Sequence, residues 1–136
     1  MKIRIAVDFD GTCVDHDYPR MGESVPGATA VLQELGRNPD VGLICWTMRF
    51  GETLEAAGRW FKDREIPLLG LNDNPEQKSW TDSRKVYAHI YIDDAALGCP
   101  LITVPGFNRP CVDWVKVRRM LVRAGVLPKA KRKRKV

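Results

Sequence analysis

Asp8-Phe9-Asp10-Gly11-Thr12 follows directly on the apolar run Ile3 to Val7, and this pentapeptide concentrates groups able to do chemistry. Side chains two apart on an extended chain point the same way, so Asp8 and Asp10 are expected to converge while Phe9 turns into the core. Two carboxylates aimed at one small volume repel unless they share a cation. Gly11 permits a tight turn or a close backbone approach to a ligand, and the Thr12 hydroxyl can lock that turn. A second acidic pair, Asp93-Asp94, closes another apolar run, Ala88 to Ile92. Clustering four carboxylates at one sheet edge would be costly without a metal ion. Between the two pairs, Thr47 ends the apolar run Val41 to Trp46, with Arg49 two residues on. Arg49 is read in two ways, as a bidentate partner of a substrate anion or as a solvated surface cation.

The elements that must position these groups follow from apolar periodicity. A strand over residues 2–7 leads into a polar loop or small hairpin, 13–25, where His16 is read in two ways, as a contact to substrate or, more commonly for such a loop, as a solvent-facing histidine. A helix opens at Pro26 with Ser24 available as its cap, buries Ala30, Val31, Leu32 and Leu35, and stops at Asn38-Pro39-Asp40. Val41 to Trp46 then reads as a strand buried on both faces, hence parallel to the first. Next come a helix over 51–64 with Leu54, Ala57, Trp60 and Phe61 inward, a strand over 66–71, a loop over 72–75 and an unassigned stretch over 76–84. Strands over 88–92 and 101–104 precede a helix over 112–124 with Trp114, Val117, Leu121 and Ala124 on one face. The order is that of an α/β chain with a mostly parallel central sheet. Parallel strands share one C-terminal edge, where ligands of open α/β folds bind, so both acidic pairs and Thr47 belong at one mouth.

The 136 residues are the size of one domain. The formal charge of +5 is misleading, because Lys129, Lys131, Arg132, Lys133, Arg134 and Lys135 supply six of 22 cations, leaving 16 against 17 acids in residues 1–128. A body, 1–127, and a basic disordered tail, 128–136, are therefore expected, the tail suited to polyanions such as nucleic acid and similar to a nuclear-import signal. Cys13, Cys45, Cys99 and Cys111 show no C-x-x-C spacing, and two histidines complete no zinc signature. With neither an apolar run of membrane-span length nor a signal-peptide build, a soluble cytoplasmic protein is expected.

Residues 8–12 resemble the first motif, Asp-x-Asp-x-Thr, of the haloacid dehalogenase (HAD) superfamily, most of whose members are magnesium-dependent phosphohydrolases. Thr47 at its strand end resembles the second motif, and Lys85 before the strand ending in Asp93-Asp94 resembles the third and fourth. The resemblance covers about the first hundred residues. It implies a Rossmann-like three-layer sandwich and, since the gaps between motifs are filled by assigned elements, no cap domain. It implies Asp8 as the nucleophile that forms an aspartyl phosphate and Asp10 as general acid and base. It further implies Mg²⁺ held by Asp8, the Asp10 carbonyl and Asp93, with Asp94 as the outer acid. Thr47 and Lys85 would hold phosphoryl oxygens, Lys78 and Arg84 being alternatives to Lys85, and Gly11, Thr12 and Arg49 would line the substrate site. Capless members act on large substrates, such as nucleic-acid ends or phosphoproteins, or borrow a lid from a neighbour in an oligomer. A phosphatase of nucleotides or nucleic-acid ends is the sharper expectation. A small-metabolite phosphatase and a non-catalytic phosphate- or nucleic-acid-binding module are the alternatives. No kinase P-loop occurs.

Overall fold

The computed structural model describes residues 2–130, so the basic stretch from 131 onward lies outside the described residues. Four parallel strands, β1 (Ile3–Val7), β2 (Val41–Cys45), β3 (Gly70–Leu71) and β4 (Ile90–Ile92), form one sheet in the order β3-β2-β1-β4. Helices α1 (Ala28–Arg37) and α2 (Gly51–Asp63) connect β1 to β2 and β2 to β3. Parallel crossovers are right-handed, so two steps in one direction place α1 and α2 on the same face of the sheet, and the return from β3 to β4 places residues 72–89 on the other.

The side-chain alternation of β1 and β2 records this layering. Ile5, Val7, Leu43 and Cys45 join one core with α1, α2 and the C-terminal helix α3 (Trp114–Arg123), whereas Ala6 and Ile44 pack with Val86, Leu69 and Ala88 on the opposite face. The described residues thus form a Rossmann-like three-layer α/β sandwich with no cap domain among them, one outer layer helical and the other thin. That thin layer contains a 3₁₀ turn, Pro75–Ser79, within the stretch that periodicity leaves unassigned. Two buried amides hold it in place of a strand ladder. Gln77 donates to the carbonyls of Ser83 and Lys85 and accepts from the Tyr87 amide, and Asn74 donates to the Tyr87 carbonyl.

Several boundaries differ from expectation for identifiable reasons. The 66–71 strand shortens to Gly70–Leu71, because residues 66–69 form the approach to the sheet rather than part of its regular pairing. Instead of a strand over 101–104 there is a small antiparallel hairpin, β5 (Leu101–Ile102) with β6 (Cys111–Val112), outside the main sheet. Val112 is therefore strand rather than helix, and α3 starts at Trp114, capped by the Asp113 carboxylate accepting from the Lys116 amide. Helix α1 starts two residues after Pro26, and Ser24 does not cap it; its hydroxyl accepts from Trp60 Nε1 and Arg64 instead. None of the helices among the described residues is long and apolar enough to cross a membrane.

Candidate active site

The direction of strand progression reverses between β1 and β4, and at such a switch point the loops leaving the C-terminal ends splay apart to form a crevice. The Asp8 amide still donates to the Ile92 carbonyl at 2.9 Å, so the two acidic loops depart from neighbouring strands side by side. Phe9 is fully buried against Trp60 and Phe61, with ring centroids 5.7 and 6.0 Å away, and anchors the loop as expected. The flanking acids are thereby aimed outward.

Asp8, Asp93 and Asp94 each place a carboxylate oxygen within 4.8 Å of the others, a group able to hold a metal ion. Asp94, expected to be the outer acid, also places an oxygen in this group. The divergence of neighbouring side chains applies within a strand, and β4 ends at Ile92, so Asp93 and Asp94 already occupy a turn. Burial, then contact with the Asp94 carboxyl and the charge of Asp93, push the Asp8 carboxyl up to about 8, with the Thr12 hydroxyl opposing. Burial also raises Asp93, against the Ala95 amide that lowers it.

Asp10 does not join this group, which corrects the expectation of convergence with Asp8. Its two oxygens accept from Arg49 Nε and Nη2, both at 2.8 Å. Arg49, only 2% exposed, also donates to the Arg20 carbonyl, and its guanidinium lies 5.0 Å from the Phe9 ring centre and 5.3 Å from that of Tyr18. Both readings of Arg49 are thus overturned: it is neither solvated nor free for an anion, because a carboxylate of the protein already fills its fork.

Gly11 and Thr12 build the corner rather than offering contacts to substrate. Gly11 adopts φ +85°, and a side chain there would collide with His16 Nε2 and Asp94 Oδ2. The fully buried Thr12 hydroxyl donates to Asp8 Oδ2 at 3.0 Å and accepts from the Asp94 amide at 3.2 Å, tying the two acidic loops together. Trp114 Nε1 donates to the Thr12 carbonyl at 2.7 Å, and the Val112 amide to the Gly11 carbonyl at 3.0 Å. A helix residue legible only as core thereby fixes the loop.

The solvent-facing reading of His16 is corrected. Its Nε2 lies 2.8 Å from Asp94 Oδ2, and its carbonyl accepts from the Asn108 side chain, whose own amide nitrogen is held by Asp15. The loop 13–25 folds back over β1, and a distant asparagine brings it there. No local pattern signals that approach.

Thr47 sits beyond β2, its amide donating to Asn72 Oδ1 at 2.7 Å and its carbonyl accepting from Asn72 Nδ2 at 2.9 Å. Its hydroxyl accepts from the Arg49 amide at 3.2 Å. Asn72, at φ +53°, is well suited to this left-handed position, and the Asn-Asp-Asn-Pro composition is its only sequence signal. Thr47 opens into a cleft of about 670 Å³ that also includes Met48, Asn72, Lys78 and Arg84. Lys85 does not line it; its ammonium lies 5.6 Å from the Tyr91 ring centre. Of the three cations considered, Lys78 and Arg84 therefore accompany Thr47, and Lys78 is 3.3 Å from Asp73. Cys13 and Cys45 are fully buried beside the acids, and burial above all raises both thiols.

No protein-family model and no curated protein matches the chain. Among solved structures, a conserved protein from Bacteroides thetaiotaomicron superposes with a TM-score of 0.72 and is 36% identical, covering 91% of this chain and 93% of that one. At that identity and mutual coverage, the chain belongs to the same family as this conserved Bacteroides protein.

Proposed function

We propose that the chain is a magnesium-dependent phosphohydrolase of the HAD type, working through an aspartyl-phosphate intermediate. The observation that carries this reading is the convergence of Asp8, Asp93 and Asp94 at the switch point of the sheet. Three crowded carboxylates, with His16 against Asp94 as their basic neighbour, suit a hard divalent cation, whose preferred donors are oxygen atoms. Asp8 supplies a second indication of fit: a carboxyl raised to about 8 by burial and neighbouring acids is the group an added positive charge would ionise. Mg²⁺ bound there would screen the repulsion between a carboxylate and an incoming phosphate.

Ionised Asp8 attacks phosphorus, and the bond to the leaving oxygen breaks. Asp10 is the candidate acid and base two residues on, but delivering a proton requires at least one oxygen to come free of Arg49. The described state is thus a latched one. Thr47 with Lys78 or Arg84 would receive phosphoryl oxygens, and the cleft they line has the volume usual for a small ligand or the end of a larger one. Nucleotides and nucleic-acid ends are the proposed substrates, with small phosphorylated metabolites the alternative. All four thiols are free, in keeping with the reducing cytoplasm that we propose as its setting.

The test is phosphate release from an aryl phosphate, nucleotides and 3′- and 5′-phosphorylated oligonucleotides, with Mg²⁺ or EDTA. The expected result is metal-dependent release that Asp8→Asn lowers by at least about 10³-fold. Folded protein that releases no phosphate from the whole panel, or an Asp8→Asn variant as active as the parent, overturns this reading and favours the binding module.

A further inference from the structure

Residues 78–91, on the thin layer opposite the helices, combine basic and aromatic side chains in a way that neither the core nor the carboxylate corner uses. The stretch holds Lys78, Arg84 and Lys85 against a single acid, Asp82, and three aromatic rings, Trp80, Tyr87 and Tyr91. On a body with 16 cations and 17 acids this is a local reversal of sign. All three rings are open to solvent, at 62%, 43% and 38%. Trp60 and Trp114 are buried with their indole N–H groups bonded to Ser24 and Thr12, so the exposure of Trp80 is not the habit of tryptophan in this chain.

Trp80 meets Tyr87, and Tyr87 meets His89, in near-perpendicular pairs at 5.4 Å. In such an edge-to-face pair at least one ring keeps its flat faces uncovered by the contact. Two shallow depressions, of about 260 and 300 Å³, adjoin Trp80; Lys2 and His89 line the first, Lys85 and Tyr91 the second. The second shares Gln77, Thr81, Ser83 and Val86 with the cleft beside Thr47. Nearby acids are largely engaged, Glu76 with Arg4 and Asp73 with Lys78.

We propose that this face binds single-stranded nucleic acid, its bases stacking on Trp80 and Tyr87 and its phosphates meeting Lys2, Arg84 and Lys85. Unpaired bases offer the flat π-faces that exposed rings accept without regard to sequence, and the backbone supplies the complementary charge. A duplex hides its base faces. Binding does not depend on hydrolysis, so the inference stands apart from the proposed chemistry. Where both hold, the shared lining residues lead from the strand toward the phosphate site.

The experiment is fluorescence anisotropy of the full chain with labelled oligo(dT) and with a duplex of the same length, in EDTA. The single strand is expected to bind more tightly than the duplex. Trp80→Ala is expected to weaken binding about fivefold to a hundredfold, and Trp80→Phe to restore most of it. Arg84→Gln and Lys85→Gln should each lower the salt slope by about 0.7. Changing Lys129 and the five cations of 131–135 to Gln tests the tail, and the Trp80 dependence is expected to persist in that background. Equal binding of duplex and single strand, binding indifferent to Trp80 and Tyr87, loss of all binding with the tail cations, or Trp80-dependent self-association without oligonucleotide binding each overturns the proposal. Asp8→Asn is expected to bind as the parent does, so a failed hydrolysis assay leaves this result readable.

Discussion

Asp8 and Asp10 leave the same strand two residues apart and meet opposite surroundings. Asp10 faces a buried guanidinium that satisfies both its oxygens, whereas Asp8 faces two further acids and a hydroxyl. The chain sets a guanidinium against both oxygens of the first acid, whereas the second site has three carboxylates and a single imidazole, His16 on Asp94. Built-in pairing holds the closed, latched state, because either partner alone would be a buried charge. A site left short of charge is held together by the fold around it and gains most from a cation arriving from solution. The two acids therefore serve different ends, although their spacing makes them look equivalent.

Breaking the paired side should have the largest effect. Arg49→Ala is expected to lower unfolding stability by about 3–5 kcal/mol, and the joint replacement Asp10→Leu with Arg49→Met to recover most of it. Denaturant titration reads both. A double variant as unstable as the single would mean that Arg49 acts mainly through its aromatic and carbonyl contacts. On the unpaired side the sign reverses, and Asp8→Asn is expected to stabilise the metal-free protein by about 1–3 kcal/mol at pH 8. The Asp8 carboxyl goes from an ordinary 3.8 to about 8 in the fold, so between those values the unfolded chain has lost a proton the folded chain keeps. Stability of the parent then falls as pH rises through this window, and the advantage of Asn vanishes near pH 4. Thermal melts in EDTA across that range check it; a flat difference would sink the charge argument.

Smaller effects sharpen the contrast. Gly11→Ala, which forces a side chain into a left-handed position against His16 and Asp94, should cost about 1–2 kcal/mol and weaken Mg²⁺ binding measured by calorimetry. A metal titration unchanged in that variant would uncouple the turn from the acids. Least of all in energy, Cys99 should be the first thiol to react with a maleimide in folded protein, since Cys13, Cys45 and Cys111 are buried. Labelling of Cys13 first would show that the corner opens readily.

Periodicity was sufficient for β1, β2 and β4, because burial in the sheet writes itself as apolar runs, and strand order places Asp8, Thr47 and the Asp93-Asp94 pair at one edge. What escaped it were contacts made across long separations. Nothing near Arg49 tells that its fork closes on Asp10, 39 residues away, and nothing near His16 tells that Asn108 draws its loop inward. Which of Lys85, Lys78 and Arg84 turns toward Thr47 was not legible for a related reason: residues 76–84 have no period, and the 3₁₀ turn and Gln77 set their course.

Gln77 and Asn74 carry one consequence beyond the site. A layer fastened from within by two largely buried amides has its fold specified by residues other than its outward rings and cations. Its outward residues can then be exchanged over generations at little expense in folding, so what this face recognises is free to drift while the carboxylate corner stays put.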